Sequence, residues 1–185
     1  MTKPYEIWDK IAPNFDAYIS RTNNSLTIEY EKAEEKRLFE VILNRLKTDD
    51  LTIIEIGCGT GRLLLRVADA KLDKVPGAYT IKRFVGIDIS APMLELAKKN
   101  ASTTGDVIEF VHADAREVNK IRKSIVENTA AIVFCVLNTL GIFFPQDRPG
   151  IISAMARLAG KNGTVFLSVF NAREFEKMHM TSTHQ

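Results

Sequence analysis

Five short runs of β-branched and aromatic residues, separated by stretches whose apolar positions recur at helical spacing, leave this chain very few ways to fold. The runs are residues 51–57 (LTIIEIG), 84–89 (FVGIDI), 107–112 (VIEFVH), 130–137 (AAIVFCVL) and 164–170 (TVFLSVF), and they read as buried strands. Between them lie Leu64, Val67 and Ala68; Met93, Leu96 and Ala97; Val118, Ile121 and Ile125; and Ile151, Met155, Leu158 and Ala159, each set on one helical face. Strand–helix–strand repeated in this way predicts an α/β fold: a doubly wound, mostly parallel sheet with crossover helices on both faces.

Ahead of the first run, residues 26–46 place Leu38, Val41, Ile42 and Leu46 on one face behind a charged opening, which predicts an added helix. Residues 5–19 carry Tyr5, Trp8, Phe15 and Tyr18 around a break at Pro13-Asn14, an aromatic arm that serves either as a lid or as packing. Residues 1–46 are thus an N-terminal helical arm, 51–170 the core and 171–185 a short tail. At 185 residues, against about 100 to 200 per domain, the whole reads as one domain.

Composition closes off several classes. The longest apolar run, Ala130 to Leu137, falls far short of the roughly 20 residues that a membrane helix needs. The opening residues mix Glu6, Asp9, Lys10 and Asp16 among aromatics and do not form a secretory leader. Basic residues outnumber acidic ones 25 to 23, too little for an electrostatic nucleic-acid surface, and Lys98, Lys99, Arg116, Lys120, Arg122 and Lys123 read as solvated faces of crossover helices. Cys58 and Cys135 have neither paired spacing nor a neighbouring histidine, so a disulfide framework and a metal site are both disfavoured. The expectation is a reducing, cytoplasmic setting with no metal and no membrane.

In an open parallel sheet, ligands bind outside the carboxyl ends of the strands. The first such turn reads Glu55-Ile56-Gly57-Cys58-Gly59-Thr60-Gly61, where the glycines permit a tight turn and close approach of bare backbone. The next strand ends at Asp88, an acid placed to accept from both hydroxyls of a ribose, and Ser90 caps the helix that follows. Asp114 and Ala115 follow the third strand, positioned for a purine's exocyclic amine. A nicotinamide dinucleotide reader competes, but its G-x-G-x-x-G spacing would need glycine where Arg62 stands.

On these residues the chain resembles the class I, seven-strand family of S-adenosylmethionine-dependent methyltransferases, over nearly its whole length. The resemblance implies a strand order of 3-2-1-4-5 and a donor site built from Glu55, Gly57, Cys58, Gly59, Gly61, Asp88, Ile89, Met93, Asp114 and Ala115. It also makes Cys135 to Gly141 a fourth motif lining donor and acceptor. The cofactor it implies is S-adenosylmethionine, with S-adenosylhomocysteine as product. Glu55 then fits as an indirect electrostatic partner of the ligand's ammonium group.

Methyl transfer from a sulfonium needs mainly alignment and exclusion of water, and no His or carboxylate stands out as a base; His112 reads as structural. Asn138 either orients an acceptor or satisfies the backbone of its own turn. The Pro-Pro-aromatic run that family members acting on bases or side-chain amides often carry is absent from Leu137-Asn138-Thr139-Leu140. Phe143, Phe144 and Pro145, with Phe15 and Tyr18 of the arm, suit an apolar pocket for a small molecule. The expected function is therefore methyl transfer to N or O of a small-molecule acceptor. A donor-binding but inactive partner subunit, or a truncated methyltransferase, is the alternative; RNA, protein and nicotinamide chemistry rank lower.

If strands one and four are neighbours, Cys58 and Cys135 border the donor pocket as reduced thiols. The family's C-terminal antiparallel strand pair finds no room after Phe170, which leaves 164–170 as an apolar edge for a second copy or a partner subunit to cover.

Overall fold

The run Leu51–Ile56 becomes β1, and all six residues are buried, Thr52 and Glu55 included. A strand hidden on both faces must sit inside a sheet covered on both sides, and β1 does. It pairs in parallel with β2 (Ile81–Asp88) on one side and β4 (Ala130–Cys135) on the other. β3 (Ile108–His112) and β5 (Thr164–Leu167) complete a parallel sheet of order β3-β2-β1-β4-β5, as the family resemblance implies. The computed structural model describes residues 5–17, 25–102, 107–117 and 130–171.

Alternation along each strand divides the core in two. Ile54, Ile56, Val133 and Cys135 face α6 (Arg148–Ala159), which contributes Ile151, Met155 and Leu158. Leu51, Ile53, Ile132 and Phe134 face the other way, against α2 (Ser25–Arg45) and α3 (Arg62–Asp69). The buried apolar positions on α2 are Leu38 and Ile42, with Leu46 just past its end; Val41, expected on the same face, is half-buried. Each such side chain contributes about 1.5–3 kcal/mol when fully buried, so the two faces together hold the sheet without any covalent staple.

α4 (Ala91–Ala101) follows β2 and buries Met93, Leu94 and Ala97. The crossover expected around Val118, Ile121 and Ile125 lies outside the described residues, as do Tyr18 and most of the tail. α1 (Tyr5–Ile11) and the 3-10 turn Ala12–Asn14 form the arm and pack on α4. Among the described residues no helix is long and apolar enough to cross a membrane.

Strand bounds depart from the apolar runs: β2 begins three residues earlier, at Ile81, β1 and β3 are each one residue shorter, and β4 and β5 stop two and three residues short. β4 stops at Cys135 because Leu137 and Asn138 both take left-handed backbone, φ 54° and 59°, which turns the chain into the short α5 (Thr139–Ile142). With its neighbour gone, β5 loses its ladder at Leu167; the Ser168 amide donates one last bond to the Cys135 carbonyl at 3.1 Å. Residues 168–170 then bend across the end of the sheet.

Candidate functional site

Residues following the carboxyl ends of all five strands line one cavity of about 980 Å³. Its floor begins at the glycine turn after β1. Gly57 takes φ +70°, and a Cβ there would lie 2.4 Å from Thr139 Cγ2, so only glycine lets β1 and α5 approach this closely. The amides of Gly57 and Cys58 donate to the Ile87 carbonyl at 2.8 and 3.1 Å. Gly59 donates to Asp88 Oδ2 and Gly61 to the Cys58 carbonyl, both at 2.8 Å. These amides, expected to face a ligand, are already engaged within the protein. The amides of Gly57, Cys58, Gly59 and Gly61 are therefore not free to cradle a pyrophosphate, which adds to the spacing argument against a dinucleotide.

Two acids stand beside the turn, Glu55 buried and Asp88 half-buried. Glu55 Oε2 accepts from the Leu64 amide at 3.1 Å, capping α3 from below where Gly61 has no side chain to do so. Burial pushes its carboxyl up to about 8, with the nearby Asp88 charge adding to the effect. Asp88 accepts from Ser90 N as well as Gly59 N, each at 2.8 Å, and burial again raises its pKa despite those amides. Two acids lining one pocket, each with its carboxyl desolvated, favour a cationic guest, whose charge would offset theirs.

The remaining expected residues divide. Ile89, Met93, Asp114 and Ala115 line the cavity with Gly57, Cys58 and Gly59. Asp114 is held by Arg116 through contacts of 2.6 to 3.0 Å, and that guanidinium keeps its carboxyl below the usual range. His112 is structural: its Nε2 lies 2.8 Å from the Ile89 carbonyl, tying β3 to the loop after β2. Cys58 borders the cavity as expected, its thiol pushed up by burial. Cys135 does not; it is wholly buried in the core against α6, because its position in the pleat turns it to that face. Asn138 is not part of the wall either. Its Oδ1 accepts from the Phe170 amide at 3.2 Å and not from its own turn, whose Thr139 and Gly141 amides donate to backbone carbonyls, so the residue acts by placing Phe170.

The arm roofs this cavity. Trp8, Ile11 and Phe15 line it, with Trp8 and Phe15 in edge-to-face contact at 6.2 Å. Two hydrogen bonds that periodicity could not reveal pin the arm down: Ser90 Oγ donates to Asp9 at 2.6 Å, and Thr60 Oγ1 donates to Asp16 at 2.7 Å. Ser90 meanwhile accepts from Met93 N as the cap of α4, so one hydroxyl joins arm, helix and the loop after β2. The wall also has an apolar part, with Leu137, Ile142, Phe143, Phe144 and Phe170, and includes Tyr30 of α2. Arg148 secures that part by donating to the Gly141 and Phe143 carbonyls, each at 3.0 Å.

Residues 53–163 match the family model described as a methyltransferase domain. The chain is 26% identical over 172 residues to the ubiquinone/menaquinone biosynthesis C-methyltransferase of Campylobacter jejuni, covering 93% of this chain and 65% of that protein. It is 32% identical over 134 residues to a malonyl-[acyl-carrier protein] O-methyltransferase of Halalkalibacterium halodurans, covering 72% and 44%. The chain thus spans less than two thirds of the length of these relatives. Among solved structures, magnesium protoporphyrin IX methyltransferase from Synechocystis with bound SAM has the same fold, with a TM-score of 0.58 at 17% identity, covering 98% of this chain and 86% of that one.

Proposed function

This chain belongs to the methyltransferase-domain family, and we propose that it transfers the methyl group of S-adenosylmethionine to a small, largely apolar acceptor. The observation that carries this reading is one cavity lined both by buried Glu55, half-buried Asp88 and the glycine turn and by a set of aromatic and aliphatic side chains. One curated relative is named a C-methyltransferase and another an O-methyltransferase, which extends the acceptor atom beyond N or O to carbon.

The residues present fit the donor. Asp88, fixed by two amides, retains lone pairs for a sugar diol. Ile89, Met93 and Ala115 supply apolar surface for a purine, with Asp114 at its edge. The turn from Gly57 to Gly59 takes the amino-acid end, and Glu55 beneath it contributes negative charge when ionised. Bound there, S-adenosylmethionine supplies a methyl group on a cationic sulfur. Trp8 and Phe15 keep water out, and the apolar part of the wall holds the acceptor in line; such orientation is worth roughly 7 to 11 kcal/mol.

Calorimetry with S-adenosylmethionine tests the donor half. Asp88→Ala should weaken binding by about 2 kcal/mol, roughly 30-fold, as charge-assisted hydrogen bonds to the diol are lost. Unchanged affinity would remove the assignment. Incubation with methyl-labelled donor and extracted metabolites tests the other half: label in an organic-soluble product supports an enzyme, whereas tight binding with turnover only after a second protein is added supports a partner subunit.

A further inference from the structure

We propose that Tyr30, Ser168 and Glu34 form a directional relay that carries the proton lost by the methyl acceptor from the cavity wall into a buried carboxylate. The inference rests on reading the cavity as a methyl-transfer site and supplies the base that the sequence does not display. Tyr30 lines the cavity, and its hydroxyl donates to Ser168 Oγ at 3.2 Å. Ser168 Oγ in turn donates to Glu34 Oε1. A phenol has one proton to give, so with that proton aimed at Ser168 the lone pairs of Tyr30 remain to accept from a guest.

The end of the chain is built to receive charge. Glu34 is 7% exposed, Oε1 also accepts from Leu137 N at 3.2 Å, and Oε2 is buried without a hydrogen-bond partner. A carboxylate left half-satisfied away from water is relieved by taking up a proton. Burial pushes Glu34 above its ordinary range and pushes Tyr30 up to about 12, so the phenol passes a proton on without resting as phenolate. The charged and titratable groups facing this chain are Glu31 on the same helix, paired with Arg62 at 2.9 Å, and Cys135 from β4; the segment after β5 presents the Ser168 hydroxyl. Phe170 packs edge-on against the Tyr30 ring at 4.9 Å and holds its orientation.

The step balances. The acceptor's X–H proton moves to Tyr30 oxygen as the phenolic proton moves to Ser168 and the serine proton to Glu34. The freed electron pair on X forms the bond to the methyl carbon. The carbon–sulfur bond of the sulfonium donor breaks and its electrons stay on sulfur as a neutral thioether. Tyr30 touches the acceptor and is catalytic in this scheme; Ser168 and Glu34 act through it.

The test needs no acceptor. The Glu34 side-chain carboxyl, labelled with carbon-13 and identified by its absence in Glu34→Gln, is titrated by NMR in the intact protein, with donor affinity measured in parallel. A connected relay places its midpoint above the ordinary glutamate range. Tyr30→Phe and Ser168→Ala should each move that midpoint by at least about half a pH unit, as coupled groups do. Ser168→Thr, which keeps the hydroxyl, should restore it, and donor affinity in Tyr30→Phe should stay within about twofold. A midpoint in the ordinary range, one indifferent to Tyr30→Phe, or no restoration by threonine overturns the relay. Absent donor binding in the wild type with the coupling intact would overturn the methyl-transfer reading and leave the relay standing.

Discussion

At Glu55 a carboxyl is sealed inside β1 with the Leu64 amide as its donor, and the consequence is a pH dependence of known sign. Its folded value of about 8 exceeds the ordinary 4.5, so the folded protein binds this proton more tightly than the unfolded chain. The stability so conferred is whole below the ordinary value and is lost as pH climbs through about 8. Melting temperature of the ligand-free protein should fall over that window, and Glu55→Gln, whose amide oxygen still accepts from Leu64, should flatten the fall. Asp88 and Glu34 shift the same way, so the slope should shrink without vanishing. Gly57 gives a sharper case. Gly57→Ala combines left-handed backbone with a Cβ 2.4 Å from Thr139 Cγ2 and should cost about 2–4 kcal/mol in urea unfolding. Adding Thr139→Ser, which deletes that methyl, should recover part of the loss. The glycine at this place was legible from its turn; the threonine that makes it obligatory was not, because it lies far along the chain.

Among elements, the arm and the sheet differ in how they declare themselves. Strand runs and helical faces repeat at periods of two and 3.6, so β1 to β5, α2 and α6 can be read from spacing alone, and the glycine turn with Asp88 marks the donor end. Contacts that cross long stretches of sequence leave no period. The arm's bonds join residues 81 and 44 positions apart, and Ser168 meets Glu34 across 134. Strand ends escaped for a related reason: positive φ at Leu137 and Asn138 interrupts an apolar run that composition alone would extend. Two polar contacts tie the arm to the loops after β1 and β2, and removing them should loosen it while the sheet stays intact. Asp9→Ala with Asp16→Ala deletes two hydrogen bonds of about 1 kcal/mol each. Amide exchange within residues 5–17 should rise, exchange in β1 should not, and donor dissociation should quicken by roughly tenfold or more.

For the molecule as a whole, the parallel sheet separates holding from acting. Apolar contacts between sheet and helices fill the two faces, while the cavity draws on loops following β1, β2, β3, β4 and β5. β5 lies at one edge, half-buried along its length, and its outer side has no strand partner among the described residues. The chain's sole tryptophan belongs to the roof, next to Phe15, and lines the same cavity as the two acids. This gives the protein an optical gauge of its own occupancy. Emission excited at the indole band should dim or change colour when a nucleoside enters, saturating in step with calorimetric heat. Loosening the roof should blunt that signal before it weakens the heat, so a cuvette and a lamp could follow guest arrival and roof closure as separate events in one undyed molecule.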